Sequence, residues 1–409
     1  MKVLLISTLV PSKHNIGGPS ALIYYLAKER PAGIKIDLMY YQGPENRDHL
    51  FQGDLANVFS STREVKRTPR LYSYFLKGIQ KTNIVPNLRG LDLAYLPNKE
   101  DIKFINENEY DIIWIYPNML YSWYKRLFRS RIVMTGPDCS YLHYQLIREY
   151  SRNDPSLFPK HLWQIKKYRE LSENSFKLES LWAESNALLH VVGGDDKRTY
   201  DQLGQGKHSF FSPHPHSTYE EIRQPIDKVS GKLTILITGL NNSIYTGNFP
   251  EKLFDVLIAN ENLALRYRFL FIGRGFEPAS EKMKRAGYEV ELHPWVDNYE
   301  HAISKAHIQL FPIVLGTGTK GKVLCALATG LVCIGTKHAF ENILIEPGTD
   351  SVLINNEQEI VNILNDICNG KAKYASMAKT ASQKVRKLHS PAVTSKLFWD
   401  VVVNHWRNN

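Results

Sequence analysis

Residues 308–330, IQLFPIVLGTGTKGKVLCALATG, hold the pattern from which the rest of the 409-residue chain can be read. The apolar run Ile308–Phe311 predicts a buried strand. The apolar residues after Lys322 predict a helix that Gly330 ends. Between the two, Gly316 and Gly318 remove side chains from the turn, and Thr317 and Thr319 add hydroxyls. Lys320 and Lys322 put two positive charges at the helix N-terminus. Backbone N–H groups, a helix dipole and paired ammonium groups make a nest suited to a diphosphate. Each charge-assisted hydrogen bond to such an anion contributes about 1.5–3 kcal/mol. The spacing is not that of a GxxxxGK[ST] phosphate loop. The plainer alternative is a glycine turn with solvated lysines.

Outward from this stretch, strand-like runs alternate with helix-like ones, which predicts an α/β fold with parallel sheets. In the first half the expected strands are Val3–Leu9, Ile34–Tyr40, Ile112–Tyr116, Arg131–Thr135 and Leu188–Val192. In the second half they are Leu233–Thr238, Arg268–Ile272, Val290–His293, Ile308–Phe311 and Val332–Gly335. Each set suits one open sheet with helices on both faces. The break falls in Ser212–Lys232, a stretch with three prolines that ends in Ser-Gly-Lys. The expected boundaries are therefore a first domain at 1–215, a linker at 216–231 and a second domain at 232–390. Gly43–Glu109 carries weak strand signals and is expected to be a loop-and-helix insertion. The tail Pro391–Trp406 predicts a helix with Val393, Leu397, Phe398 and Val401 along one side.

Two further places invite chemistry. Gly17-Gly18-Pro19 lies between the first strand and the first helix, where glycines let backbone approach an anion or simply make a tight turn. Thr135-Gly136-Pro137-Asp138-Cys139 follows a strand end, the side of an open α/β sheet that takes ligands. Asp138 there suits a general base or an acceptor-binding group, with His143 nearby in sequence; a turn-forming Asp and an exposed His are the plainer alternative. His214 and His216 fall in the linker region and are expected to belong to the hinge.

Composition narrows the class. Hydrophobic residues make up 43% and charged residues 22%, an ordinary globular balance. The apolar run at the N-terminus is short, no small-residue cleavage site follows it, and it is expected to be a strand. Four scattered cysteines (Cys139, Cys325, Cys333, Cys368) form no CxxC pair, against a zinc or disulfide framework and in favour of the cytosol. The net charge is +10. From Thr62 to Gly90 there are seven basic residues and one acidic, interleaved with Tyr72, Tyr74 and Phe75. That patch suits anionic lipid headgroups or an acceptor's phosphate, or else is a solvated basic helix. No nucleic-acid module accompanies it, so nucleic acid is not an expected partner.

Taken in order, these pieces resemble glycosyltransferase family 4, which has the GT-B fold: two Rossmann-like parallel-sheet domains facing across a cleft. The resemblance rests on Val3–Leu26, Leu233–Gly247, Gly273-Arg274-Gly275, His293-Pro294-Trp295-Val296-Asp297, Phe311-Pro312, Gly316–Gly330 and Gly335-Thr336. It implies that a nucleoside-diphosphate sugar sits mostly on the second domain. Gly239, Asn241, Gly273, Arg274, Gly316, Thr317, Gly318, Thr319, Lys320 and Lys322 would bind it. Pro294 and Trp295 would border the base, and Gly17 and Gly18 would close over it. Glu341, after the last sheet strand, would meet sugar hydroxyls. The helix 391–409 would return to the first domain, which would take the acceptor. The family mechanism is retaining and needs no metal or other cofactor.

Two departures stand out. Where the family often carries two glutamates, this chain has Thr317 and Cys325. Where it often has Arg and Lys after the first strand of the second domain, the stretch Thr238–Gly247 has no basic residue. The leading expectation is a glycosyltransferase acting on a glycan or polyprenyl-linked acceptor in bacterial surface polysaccharide synthesis, cytoplasmic or peripheral at the inner membrane face. A catalytically degenerate nucleotide-sugar-binding partner subunit and a GT-B nucleotide-sugar 2-epimerase are the alternatives.

Overall fold

The computed structural model describes residues 1–13, 20–41, 43, 55–82, 92–125, 131–136, 138–153, 160–204, 208–216, 225–241 and 245–407. The chain divides into two compact units, Met1–Ser217 with Pro391–Asn409, and Thr218–Ser390.

The first unit is a seven-stranded parallel sheet of order β3-β2-β1-β4-β5-β6-β7. Its strands are β1 (Lys2–Ser7), β2 (Lys35–Tyr41), β3 (Ser61–Val65), β4 (Ile112–Tyr116), β5 (Arg131–Gly136), β6 (Leu188–Val191) and β7 (Ser209–Phe211). Its helices include α1 (Ser20–Lys28), α2 (Arg70–Thr82), α3 (Lys99–Glu107), α4 (Ser140–Asn153), α5 (Lys160–Ala183) and α6 (Gly194–Leu203). Successive residues of β1 feed opposite faces of the sheet. Val3 and Leu5 enter one core and Leu4 and Ile6 the other. Burial on both faces is why the strand is a continuous apolar run rather than an alternating one.

The second unit repeats the plan with six parallel strands of order β10-β9-β8-β11-β12-β13. They are β8 (Leu233–Leu240), β9 (Tyr267–Arg274), β10 (Glu289–His293), β11 (Ile308–Phe311), β12 (Val332–Gly335) and β13 (Val352–Leu353). The helices include α7 (Phe249–Ile258), α8 (Glu277–Arg285), α9 (Gly321–Thr329), α10 (Glu359–Asn369) and α11 (Lys371–Leu388). Ile235 and Ile237 pack to one side of this sheet and Leu236 to the other.

The last helix, α12 (Pro391–Arg407), packs on α1 in the first unit. Ser395 Oγ donates to the carbonyls of Leu26 (3.1 Å) and Glu29 (3.0 Å), and Trp399 Nε1 donates to the Leu26 carbonyl (2.8 Å). These bonds turn the helix by about one residue from the side expected. Thr394, Ser395, Phe398, Trp399 and Val402 are buried, whereas Val393, Leu397 and Val401 face solvent. Ser395 points inward because its partners are carbonyls at the end of α1, whereas the Thr394 hydroxyl donates to the Pro391 carbonyl of its own helix; apolar spacing encodes neither choice.

Three strands escaped the sequence reading: β3, β7 and β13. β3 lies inside the stretch expected to lack strands and pairs with β2 from Asp37↔Ser61 to Tyr41↔Val65. All three end a sheet, where polar or very short sequences are tolerated because one edge meets water. In the break region, His214 and His216 are buried, with His214 Nδ1 2.7 Å from the Pro215 carbonyl. Residues 217–224 lie outside the described residues.

Candidate functional site

In the second unit the chain leaves β8 toward β9 on one side, while β11 lies on the other. The strand order therefore switches direction between β8 and β11, and the carboxyl ends of strands at such a switch point are where open α/β sheets take ligands. The ends of β8 and β9 each carry a glycine with positive φ, and at the β9 end nothing larger fits. Gly239 (φ +122°) is opposite Gly273 (φ +135°) in the β8–β9 register. A Cβ at 273 would come 1.7 Å from the Gly239 carbonyl oxygen. Asn241 is buried and locks the next turn: its N–H donates to the Arg274 carbonyl (3.0 Å) and its Nδ2 to the Gly275 carbonyl (3.0 Å). Among the described residues its Oδ1 has no donor. Arg274, Leu240 and, past β10, Pro294 and Trp295 are exposed at these strand ends.

The loop after β11 is pinned at several points. Val314 and Leu315 donate backbone N–H groups to the Tyr245 carbonyl (2.7 and 3.3 Å). Thr336 Oγ1 donates to the Ile313 carbonyl. Asn342 Nδ2 donates to the Gly318 carbonyl (2.7 Å). Gly316 (φ +148°) and Gly318 (φ +65°) carry the reversals, with Thr317 and Thr319 half-buried between and after them. The loop enters α9 at Gly321 with Lys320 as the cap residue, whose side chain makes no capping hydrogen bond. The first-turn N–H groups of a helix point out of its N-terminus, a natural anion site.

The two lysines differ. Lys320 is nearly buried and its Nζ lies 3.0 Å from Glu341 Oε2. Glu341 Oε1 also meets His338 Nδ1 at 2.8 Å. Burial draws the Glu341 carboxyl upward, but the His338 hydrogen bond and the Lys320 charge outweigh it and hold it below its ordinary range. Glu341, expected to meet sugar hydroxyls, is thus the partner of a loop lysine. Lys322 has no carboxylate partner among the described residues. Its ammonium lies beside Gly239, where an added Cβ would come 2.7 Å from Nζ. The side chain is crowded by protein near its ammonium yet open to solvent along its length, and the crowding pulls its pKa down. One unanswered cation at the junction of β8 and α9 is what remains of the expected pair.

Beneath the loop lies a polar cluster that the sequence reading missed. Gln309 is fully buried in β11, and its Nε2 donates to Thr238 Oγ1 at 3.0 Å. The Tyr299 hydroxyl lies 3.4 Å from the same oxygen. The available signal was the single Gln inside the apolar run Ile308–Phe311. Cys325, at the position of the family's second glutamate, is buried in the apolar core under α9.

In the first unit, Asp138 is exposed just past β5, and His143 is on the first turns of α4. Burial lowers the His143 pKa, while the Asp138 charge pushes it back up. The turn they share is held from a distance by two buried carboxylates. Glu179 Oε1 accepts from the Ser140 N–H (2.8 Å) and the Tyr200 hydroxyl (3.0 Å). Its Oε2 accepts from the Tyr141 N–H (2.8 Å) and Cys139 Sγ (3.2 Å). Asp196 Oδ1 accepts from the Cys139 N–H at 2.7 Å. Gly17 and Gly18 lie outside the described residues. Among the described residues no cluster of His, Cys, Asp and Glu is arranged to hold a metal ion.

Comparison with known proteins sharpens the assignment. The family model described as glycosyl transferases group 1 matches residues 241–369. No curated protein matches the chain. Among solved structures, Anabaena HepE in complex with UDP is similar over 99% of this chain and 100% of its own, with 13% identity and a TM-score of 0.63. Sucrose-phosphate synthase from Thermosynechococcus elongatus is similar over 100% of both chains, with 13% identity and a TM-score of 0.64. A glycosyltransferase from Rickettsia africae is similar over 100% of this chain and 99% of its own, with 11% identity and a TM-score of 0.65. The fold is therefore GT-B, as the motifs implied, and residues 241–369 of the second unit are similar to the glycosyl transferases group 1 model.

Proposed function

With a GT-B fold and a second unit of the group 1 glycosyltransferase type as the premise, we propose that this protein transfers a sugar from a nucleoside-diphosphate sugar to a glycan or lipid-linked acceptor. The observation that carries this reading is the Lys322 ammonium. Among the described residues it stands without a carboxylate partner, beside Gly239 and next to the N-terminus of α9 and a glycine turn. A diphosphate would answer that charge and accept from the exposed N–H groups. As the sugar–phosphate bond breaks, negative charge grows on the leaving diphosphate, and groups already fixed in place stabilise it at no cost of reorganisation.

In the retaining course we propose, the leaving phosphate oxygen takes the acceptor's hydroxyl proton, so no strong protein base and no metal is required. Asp138 then binds or orients the acceptor on the first unit, with His143 beside it. The biological setting we propose is bacterial surface polysaccharide synthesis, with the protein peripheral at the inner membrane face.

A panel of nucleotide sugars, headed by the UDP-glucose that HepE binds, tests this reading. Thermal shift would report binding, and slow release of free nucleotide would report transfer to water. A catalytically degenerate donor binder is the second reading, favoured by the apolar burial of Cys325. Binding without turnover, with acceptors present, would select it. Sugar interconversion without nucleotide release would instead mark a 2-epimerase. Unchanged donor affinity in Lys320→Ala with Lys322→Ala would remove the phosphate from this loop.

A further inference from the structure

We propose that α2 is a docking helix that lays one face on an anionic lipid surface. This names the element behind the membrane-face placement proposed above and rests on that placement.

Helix α2 mixes basic residues with large apolar ones and leaves most of both exposed. Leu71 is 87% exposed, Tyr74 69%, Phe75 64% and Tyr72 52%. None of the residues from Arg70 to Gln80 is fully buried. Leu71, Tyr74 and Phe75 stand at i, i+3 and i+4, so they share one face. Ser73, Leu76, Ile79 and Gln80 are the half-buried positions, so the apolar trio is turned away from the unit. Arg70 and Lys77, seven residues apart, border that trio along one edge, and both are exposed. Lys77 Nζ lies 5.7 Å from the centre of the Tyr74 ring. From Lys66 to Thr82 the chain carries five basic residues and no acidic one.

Charge and shape select the occupant. A convex helix face with three large apolar side chains, edged by cations, matches the boundary between headgroups and acyl chains. The rings and Leu71 enter that boundary, the tyrosine hydroxyls stay at headgroup level, and the cations meet anionic lipid. A second copy of this chain would set one basic stripe against another. The basic residues nearer the sheet are engaged with the unit itself: Arg63 pairs with Asp101 at 3.1 Å, and Arg67 stacks on Tyr95. Arg70 and Lys77 of α2 are left to face outward.

The test is co-sedimentation of the whole protein with two kinds of vesicle. One is phosphatidylcholine alone; the other has phosphatidylglycerol as a third of its lipid. The expected result is strong preference for the second, weakened by salt. Leu71→Ser with Phe75→Ser should lower that partitioning by at least about tenfold, and Arg70→Gln with Lys77→Gln by about ten- to thirtyfold. All four side chains are exposed, so both variants should melt like wild type and bind nucleoside diphosphate as it does. Equal partitioning onto both vesicles, or onto neither, would overturn the proposal. So would a Leu71/Phe75 variant that partitions like wild type, or a lipid-free dimer that this variant dissolves. Loss of vesicle binding with diphosphate binding intact concerns docking alone, and the donor reading fails only if wild type binds no diphosphate.

Discussion

The Lys320 ammonium lies 3.0 Å from a Glu341 carboxylate oxygen, so one of the two cations in the glycine loop is already answered by the protein. Its neighbour two residues on has no such partner among the described residues and sits against Gly239. The loop therefore offers an incoming diphosphate one cation already shared with a carboxylate and one that, among the described residues, is not.

Lys322→Ala is expected to weaken nucleoside-diphosphate binding by about ten- to a hundredfold, the equivalent of one charge-assisted hydrogen bond. Lys320→Ala should cost less than about fivefold, because that ammonium is shared with Glu341. Calorimetric titration with nucleoside diphosphates compares the two. Equal losses would mean that the ion pair opens on binding.

Diphosphate affinity should fall as the solution becomes alkaline. Burial lowers the Lys322 pKa in the free protein, and a bound anion would raise it again. Binding then takes up a proton once pH exceeds the lowered free value, and affinity declines by up to about tenfold per pH unit. In Lys322→Ala the same titration should be flat over that range. A wild-type profile equally flat would separate Lys322 from the ligand.

Two glycines at the strand ends should respond differently to alanine. At Gly273 the new Cβ meets the Gly239 backbone, and stability should drop by at least about 3 kcal/mol in urea unfolding. At Gly239 it meets the far end of a flexible lysine. Diphosphate affinity should therefore fall with Lys322 displaced, and the stability loss should be the strain of a positive φ alone, about 1–3 kcal/mol.

Glu179→Ala removes the acceptor shared by the Ser140 and Tyr141 N–H groups, the Tyr200 hydroxyl and Cys139. Leaving those buried donors unpaired should cost about 3–5 kcal/mol. Glu179→Gln, which keeps one acceptor oxygen, should fold and lose roughly half as much. In that milder variant a raised KM for acceptor with unchanged diphosphate affinity is the outcome expected if the Asp138 turn handles the acceptor.

His190 gives the first unit a pH-sensitive stability. It is fully buried between Thr135 Oγ1 and Ser212 Oγ, and burial pushes its pKa from 6.5 down to about 3. The unfolded chain therefore binds a proton that the folded one refuses. Stability from this site is whole above about 6.5 and declines by up to about 1.4 kcal/mol per pH unit as pH falls toward about 3. Urea midpoints across that range should fall more steeply for wild type than for His190→Gln.

Much of the architecture was legible in residue order. The limits of Ile112–Tyr116, Ile308–Phe311 and Val332–Gly335 match the strands residue for residue. A strand buried on both faces leaves an unbroken apolar run bounded by turn residues, and that mark is local. Strands β3 and β13 left none, since an edge strand is held by backbone pairing that any side chains permit. The same limit misled the reading of α12. Val393, Leu397 and Val401 looked like its inner side, but Ser395 and Trp399 are tied to α1 carbonyls hundreds of residues earlier.

The sequence by itself determined the two-sheet α/β plan and the glycine loop before α9, because each is written in neighbouring residues. Only the tertiary structure decided which loop lysine is free, which carboxylates hold the Asp138 turn and which face of α2 meets solvent. Those outcomes depend on strand order and helix rotation, which bring together groups from distant parts of the chain. A charge is paired or left unpaired by what the fold places beside it, and no local pattern carries that information.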